Sequence, residues 1–151
     1  MQKKRTINYG AAALTATLAL FTGTALASTH PHARMSKLPK VTITVQGRTT
    51  TLLKTRTVQG RPGYIRRGGA GPGMCPADSA QGALNVATHG HWQGKWYQSY
   101  HEYYITSILG LSETGKKYYW GFYVNGKLSS KGACDVRLRA GERLLFKVTR
   151  A

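Results

Sequence analysis

The order of apolar and polar residues predicts a hairpin at the start of the folded part of the chain. Val41 to Val45 (VTITV) alternates strictly between apolar and polar side chains, which is typical of a half-buried strand. Gly47-Arg48 then supplies a turn, and Thr49 to Val58 is rich in β-branched residues that favour a second strand. These residues therefore predict two antiparallel strands.

A short helix is predicted next. Asp78 and Gln81 stand three residues apart, which is the spacing of a capping box at a helix start. His89-Gly90 is expected to end this helix, because glycine readily adopts the conformation that follows one. Small and apolar residues recur between them at helical intervals, namely Ala80, Ala83, Leu84 and Ala87.

The later part of the chain predicts further strands. Tyr103 to Leu109 (YYITSIL) and Tyr118 to Val124 (YYWGFYV) consist largely of aromatic and β-branched residues, which favour strands. Asn125-Gly126 is a strong hairpin signal, and Leu144 to Val148 forms the last predicted strand. The stretch from His91 to His101 (HWQGKWYQSYH) is interpreted as an aromatic connector.

The order strand, strand, helix and then three or four strands indicates an α+β fold. We predict a single β-grasp (ubiquitin-like) domain, in which a mixed sheet of about five strands packs on one helix. Because one helix can cover only one face of a sheet, the other face would be solvated or would contact a ligand.

Alternation divides the aromatic stretch YYWGFYV between two faces. Trp120 and Phe122 are expected to be buried beneath the helix, as large aromatic residues commonly are. Tyr119 and Tyr123 would then lie on the open face, with Tyr104 beside them if the faces of neighbouring strands agree. This open surface either binds a ligand or only stabilises the sheet through cross-strand tyrosine pairs.

The N-terminal residues have the tripartite pattern of a secretory signal peptide. Residues 3–5 are basic, residues 11–21 (AAALTATLALF) are apolar but too short to span a bilayer, and residues 25–27 (ALA) suit signal peptidase. A buried N-terminal helix is the alternative. We therefore expect residues 1–27 to be a signal peptide and the mature protein to be secreted.

Residues 28–40 (STHPHARMSKLPK) lack apolar periodicity and contain two prolines, which indicates a flexible linker. The folded domain would then extend over residues 41–151. No later apolar run is long enough to cross a bilayer, so no membrane span is expected in the mature chain.

The chain is strongly basic, with 22 Lys and Arg residues, 5 Asp and Glu residues and a formal net charge of +17. Such a charge attracts polyanions, for example nucleic acid or wall polymers, without giving specificity. Arg61, Arg66 and Arg67 belong to a glycine-rich stretch that is interpreted as a loop, and they are the predicted polyanion contacts. Adhesion to polyanions at a cell surface or matrix is therefore one predicted function.

Two cysteines, Cys75 and Cys134, lie in the part that is expected to be exported. An oxidising compartment and an even number of cysteines favour a disulfide between them. A reactive thiol or metal pair is the alternative, but no CxxC spacing supports it. We predict a structural disulfide and no metal site.

An enzymatic alternative comes from His89, His91 and His101-Glu102, which could supply metal ligands or the acid and base of a small basic nuclease. No nucleophile motif and no paired carboxylates accompany these histidines. The chain is therefore predicted to be non-enzymatic and to have no catalytic residues.

The stretch YYWGFYVNGKLSSKGACD, followed by LRAGERLLF, resembles the C-terminal β-grasp domain of the transcobalamin and intrinsic factor family. It is also similar to secreted bacterial transcobalamin-like C-terminal domains. The helix SAQGALNVATHG and the strand YYITSILG look similar as well, so the resemblance covers about residues 41–148. The matching positions in the aromatic stretch and after it are Tyr119-Trp120, Phe122, Gly126, Gly132 and Gly141-Glu142.

In the vitamin carriers, this domain closes over one face of cobalamin, and a separate helical barrel holds the other face. The resemblance therefore implies a non-enzymatic binding module for cobalamin or another small ligand. Because the sequence contains no such barrel, binding of cobalamin would need a helical partner protein or a dimer, or would rest on weaker one-sided contact. We predict ligand contacts on the aromatic hairpin and the aromatic connector, at Tyr119, Tyr123, Asn125, Lys127, Trp92 and Trp96.

Overall fold

The computed structural model describes residues 38–65, 74–113 and 117–151. The predicted signal peptide, most of the predicted linker, Arg66 and Arg67 lie outside these ranges. Among the residues inside them, no helix is long and apolar enough to cross a membrane.

Ten strands and one helix make up the regular structure of the described residues. The helix, α1, spans Ala80–Ala87. The strands are β1 (Lys40–Gln46), β2 (Thr51–Gln59), β3 (Tyr64–Ile65), β4 (Cys75–Pro76), β5 (Trp92–Tyr97), β6 (Glu102–Ile108), β7 (Leu111–Ser112), β8 (Tyr118–Val124), β9 (Lys127–Leu128) and β10 (Arg143–Arg150).

The largest sheet has five strands in the order β2-β1-β10-β8-β9. β1 and β10 are parallel neighbours at its centre, and the other pairs are antiparallel. Alternation along these strands gives the sheet one buried face and one open face that carries threonine and tyrosine side chains. The buried apolar residues are Val41, Ile43, Val45, Trp120, Phe122, Leu144, Phe146 and Val148.

Two smaller sheets accompany the five-stranded one. β3 pairs with β4, and β5, β6 and β7 form a three-stranded sheet. The described part of the chain is thus mostly β with several sheets and one short helix, and the prediction of a single β-grasp domain is wrong. The error arises in residues 91–101, because Trp92–Tyr97 forms β5 and pairs with β6 instead of acting as a connector.

The two large aromatic residues of β8 are buried, as the alternation predicted. Phe122 stacks on Phe146 with ring centroids 5.0 Å apart, and Trp120 lies on the same face of β8. The helix contacts β1, β2 and the β3–β4 pair, whereas β6 contacts β8. The three-stranded sheet thus approaches the part of the core that contains Trp120 and Phe122. Coverage of these two residues by the helix stays a prediction.

The helix begins one residue later than predicted. Ser79 is its N-cap, and the Ser79 hydroxyl accepts a hydrogen bond from the Gly82 N–H at 3.2 Å. Asp78 instead forms an ion pair with Arg137. Gln81 consequently occupies the second helical position and not the third, so the predicted capping box does not form.

Replacing Gln81 by methionine should raise the free energy of unfolding by about 1–3 kcal/mol. The Gln81 side chain is fully buried, and neither its amide oxygen nor its amide nitrogen has a hydrogen-bond partner among the residues that the structure describes. Methionine has a similar shape and removes both unpaired polar atoms.

Urea denaturation of Gln81→Met measures this effect. Gln93→Met is the matched control, because Gln93 is exposed and the same exchange there should change stability by less than about 0.5 kcal/mol. A Gln81→Met variant that is no more stable than wild type would contradict the prediction.

Candidate functional site

Five residues of the β5–β6 hairpin line an apolar pocket of about 290 Å³. They are Tyr97, Tyr100, Glu102, Tyr103 and Tyr104, and together they are called the tyrosine pocket. Tyr100 is 73% exposed, and Tyr97 and Tyr104 also expose large parts of their side chains. Exposed aromatic side chains around a concavity are typical of a ligand-binding surface.

The strand register explains why these side chains meet. Tyr97 pairs directly with Glu102 across the two strands. Two residues further along each strand, Lys95 pairs with Tyr104. The side chains of Lys95 and Tyr104 therefore point to the same outer face of the hairpin as those of Tyr97 and Glu102. Tyr100 lies in the connection between the two strands. The hairpin thus places three tyrosines and one carboxyl group around a single opening.

The inner face of the same hairpin is tightly packed. The rings of Trp96 and Tyr103 stand edge to face, with centroids 4.9 Å apart. Trp92 contacts Tyr103 in a similar way at 5.2 Å, and its indole N–H donates to Oδ1 of Asn85 in α1 at 3.0 Å. The tyrosine pocket therefore stands on a buried aromatic layer that is joined to the helix.

Glu102 is the acidic residue of the tyrosine pocket, and backbone groups hold its carboxyl. The Cys134 N–H donates to Oε2 at 2.9 Å, and the Tyr103 N–H donates to Oε1 at 3.1 Å. Gly132 allows this approach, because a Cβ atom at that position would overlap Oε2. Burial raises the pKa of Glu102 to about 7, and the nearby Asp135 carboxylate adds to this effect, although the hydrogen bonds act in the opposite direction.

The free energy of unfolding should fall as the pH rises from about 4.5 to about 7. Glu102 binds a proton more tightly in the folded than in the unfolded state, because its pKa is raised only in the folded protein. The stabilisation by the protonated Glu102 is complete below the pKa of this residue in the unfolded chain, about 4.5, and is lost as the pH rises past its pKa in the folded protein, about 7. Allowing for solvent screening, it is on the order of 2 kcal/mol.

Chemical denaturation at a series of pH values measures this slope. Glu102→Gln should flatten it, because the amide cannot titrate. Glu113→Gln is the control, since it removes a carboxylate from an ion pair with Arg48 elsewhere in the chain and should keep the slope. An unchanged slope in Glu102→Gln would rule out this origin of the pH dependence.

The structure does not bring the six predicted ligand-binding residues to one surface. Trp92 and Trp96 are buried beneath the tyrosine pocket. Tyr119 and Tyr123 are half-buried on the open face of the five-stranded sheet, and Lys127 is exposed just after the hairpin turn. A ligand contact at Tyr119, Tyr123 and Lys127 stays a prediction.

Asn125 has a structural role in the β8–β9 turn. It adopts the left-handed conformation with φ of 51°, as the predicted Asn-Gly turn requires. Its side-chain oxygen accepts a hydrogen bond from the Arg143 N–H at 2.9 Å. The Tyr123 hydroxyl is likewise engaged, at 3.1 Å from Oγ1 of Thr149. The hairpin is therefore tied to β10 at its tip and along its open face.

The predicted polyanion contacts are described only in part. Arg61 is exposed and lines a shallow groove of about 560 Å³, together with Tyr64 and His89. Arg66 and Arg67 lie outside the described residues. Contact of this loop with polyanions stays a prediction.

The histidines of the enzymatic alternative do not form a cluster. His89, His91 and His101 are exposed, and the His101 ring packs edge to face on Trp96 with centroids 6.5 Å apart. In the part of the chain that the structure describes, no three His, Cys, Asp or Glu side chains are grouped so that they could hold a metal ion.

The predicted disulfide between Cys75 and Cys134 is confirmed. Both cysteines are buried. Cys75 belongs to β4, shortly before the helix, and Cys134 donates its N–H to Glu102. The disulfide therefore links the start of the helix to the segment that holds the carboxyl of the tyrosine pocket.

Comparison with known proteins identifies one matching family. Residues 80–150 match a domain of unknown function, DUF4430. This match includes the helix, the β5–β6 hairpin and the aromatic strand β8, and it covers just under half of the sequence. No curated protein matches the chain.

Two solved structures are similar to the chain. The first is a candidate metal-binding protein from Ruminococcus gnavus, with a TM-score of 0.54 and 14% identity over 75% of this chain and 98% of that chain. At this identity the similarity concerns the fold alone. The second is haptocorrin in complex with Cbi, with a TM-score of 0.49 and 18% identity over 75% of this chain and 26% of that chain. The chain thus spans about a quarter of the length of haptocorrin.

Proposed function

We propose that the chain is a secreted, non-enzymatic binding module, similar to transcobalamin-like C-terminal domains, that takes a small ligand in the tyrosine pocket. The observation that carries this proposal is the pocket itself. Three exposed tyrosines surround an apolar concavity, and the Glu102 carboxyl group is the charged group among its lining residues. Small-molecule sites commonly combine such an apolar lining with a few polar groups.

The packing beneath the pocket also supports a binding role. Trp96 and Tyr103 fix the inner face of the hairpin, so the backbone that carries Tyr97 and Tyr104 is held before a ligand arrives. Tyrosine has few rotatable bonds, and a preorganised aromatic surface loses little conformational entropy on binding.

The chemistry of Glu102 supports binding more than catalysis. Backbone N–H groups of Tyr103 and Cys134 occupy its carboxyl oxygens, so the side chain is held as part of the hairpin. The His101 imidazole packs on Trp96. An acid or base for catalysis needs instead to reach a reacting group or a nucleophile.

Two features support export. The N-terminal residues have the charged, apolar and small-residue segments of a secretory signal. The buried disulfide between Cys75 and Cys134 suits an oxidising compartment, because cytosolic proteins of mesophiles seldom keep structural disulfides.

The size of the pocket limits the ligand. A volume of about 290 Å³ is close to the lower limit of about 300 Å³ for small-molecule sites. Cobalamin, which the sequence resemblance implies, is much larger and could place only one of its peripheral groups in the pocket. A helical partner protein would then have to cover the remainder of the vitamin.

Native mass spectrometry of the protein isolated from its own host tests the proposal directly, because a ligand that copurifies is weighed with the chain. Isothermal titration with cobalamin and with cobinamide tests the ligand implied by the resemblance. We expect a bound small molecule in the first measurement, whether or not the corrinoids bind in the second.

Matched variants locate the site. Tyr100→Ser and Tyr104→Ser should release the copurifying ligand, whereas Tyr64→Ser should retain it, because Tyr64 is 62% exposed but lies outside the tyrosine pocket. Tyr119→Ser tests the predicted surface on the aromatic hairpin. Release by Tyr119→Ser and retention by Tyr100→Ser would move the site to the aromatic β8–β9 hairpin. A chain that carries no ligand from its host and binds no small molecule in titration would overturn the proposal.

A further inference from the structure

Two rings of the tyrosine pocket form perpendicular walls. The ring centroids of Tyr97 and Tyr104 are 6.5 Å apart, and the ring planes meet at 86°. Tyr100 adds a third exposed ring at the same opening. The face of an aromatic ring carries partial negative charge, so several rings that surround one space attract a cation.

Lys95 shows that one of these rings, that of Tyr97, accepts a positive group. Its Nζ atom lies over the Tyr97 ring, 5.1 Å from the centroid. This distance is within the range of about 6 Å in which a cation is attracted by the ring. Lys95 lies two residues before Tyr97 in β5, so both side chains are on the same face of the strand.

The local charge at the pocket differs from that of the whole chain. The sequence has only five acidic residues against 22 basic ones. Two of the five, Glu102 and Asp135, lie close enough to interact electrostatically, and Glu102 lines the pocket. A basic protein thus places one of its few carboxyl groups, Glu102, beside three exposed tyrosines.

We propose that the tyrosine pocket binds a small organic cation of the methylated ammonium class, with Glu102 as its counter-ion. This inference rests on the proposed function and names the ligand class of the same site. The pocket favours a methylated cation because its lining is mostly apolar carbon, which suits N-methyl groups. A primary ammonium would need several hydrogen-bond acceptors, whereas both Glu102 oxygens already accept backbone N–H groups.

Binding of a cation should be coupled to proton release from Glu102. Burial keeps much of this carboxyl protonated near neutral pH, since its pKa is about 7, and the ionised form is the one that attracts a cation. Asp135 raises the pKa of Glu102. The hairpin also carries two basic residues, His101 directly before Glu102 and Lys95 opposite Tyr104. The affinity should therefore rise about tenfold between about pH 6 and about pH 8, as the ionised fraction rises from roughly a tenth to roughly nine tenths.

The test compares choline with 3,3-dimethylbutan-1-ol, which has the same shape but carries carbon in place of the charged nitrogen. Titration of the full chain, followed by NMR of the tyrosine ring signals, measures both affinities at the two pH values. We expect choline to bind at least about tenfold more tightly than the neutral alcohol at about pH 8, in the range of a cation–π site.

Three variants assign the effect. Glu102→Gln should remove the pH dependence and most of the preference for choline over the alcohol. Tyr100→Leu should weaken choline binding, whereas Tyr64→Leu outside the pocket should not. His101→Gln should leave the pH dependence in place, which separates Glu102 from the histidine beside it.

The outcomes distinguish this inference from the proposed function. Equal affinities for choline and the alcohol would overturn the cation preference and leave a pocket for neutral ligands. No choline binding, together with a neutral ligand that copurifies and is released by Tyr100→Ser, would also overturn the inference while the proposed function stands. If no ligand copurifies and neither probe binds, both fail.

Discussion

Removal of the Cys75–Cys134 disulfide should lower the free energy of unfolding by about 4 kcal/mol. The two cysteines are 59 residues apart in sequence, so the bridge closes a long loop and restricts the unfolded chain strongly. The double variant Cys75→Ser/Cys134→Ser, compared with wild type by chemical denaturation, measures the effect. This loss is a large part of the 5–15 kcal/mol or so that is typical of a folded domain.

A second double variant separates the loss of the bridge from a change of polarity. Both cysteines are buried, so serine also introduces two hydroxyl groups into the core, whereas alanine does not. Cys75→Ala/Cys134→Ala should lose a similar amount if the bridge is the main cause. A loss below about 1 kcal/mol in the alanine variant would contradict the prediction.

Replacement of Trp92 by alanine should lower the free energy of unfolding by about 3–5 kcal/mol. The side chain is only 1% exposed, its ring contacts Tyr103, and its N–H donates to Asn85 in the helix. Alanine would leave a cavity beneath the tyrosine pocket and an unpaired amide oxygen on Asn85. Thermal and chemical denaturation measure the loss.

Two further variants make this prediction decisive. Trp92→Phe keeps much of the ring and should remain folded with a smaller loss, mainly from the missing N–H group. Tyr100→Ala, at an exposed position of the same hairpin, should change stability by less than about 0.5 kcal/mol. If Trp92→Ala kept its stability and lost only ligand binding, Trp92 would be a ligand contact, as the sequence predicted.

Most strands could be predicted from the sequence because their signals are local. The strict alternation of VTITV indicated β1, and the aromatic content of YYWGFYV indicated β8 with its buried Trp120 and Phe122. Asn125-Gly126 indicated the turn that follows. The disulfide followed from the number of cysteines and the expected compartment.

The tyrosine pocket could not be predicted, because its hairpin lacks the usual turn residues. The connection between β5 and β6 has the sequence QSYH and contains neither Gly nor Asn, and His101 adopts the left-handed conformation there with φ of 49°. Trp92, Gly94 and Trp96 do alternate inward, which was a usable strand signal. Without a recognised turn, the pattern of the two tryptophans predicts an exposed ligand surface. The sequence also predicts Tyr104 beside Tyr119 and Tyr123 of β8, whereas Tyr104 lies opposite Lys95 of β5.

The position of Glu102 depends on residues that are distant in sequence. Its carboxyl is buried by contact with the segment that includes Gly132 and Cys134, and this segment is brought close only by the folded chain. No local pattern around Glu102 shows that environment. The sequence placed it only beside His101, as part of an enzymatic alternative.

The parallel pair at the centre of the five-stranded sheet has a consequence for the kinetics of folding. β1 and β10 are paired over residues about 100 positions apart, with Thr42 opposite Arg143. The sheet therefore cannot close around its core until nearly the whole domain is available, because its central pairing joins residues far apart in sequence. Chains with such distant pairings fold in milliseconds to seconds rather than microseconds. In the interval, the β1–β2 hairpin has an unpaired edge, to which another unfolded copy can add a strand.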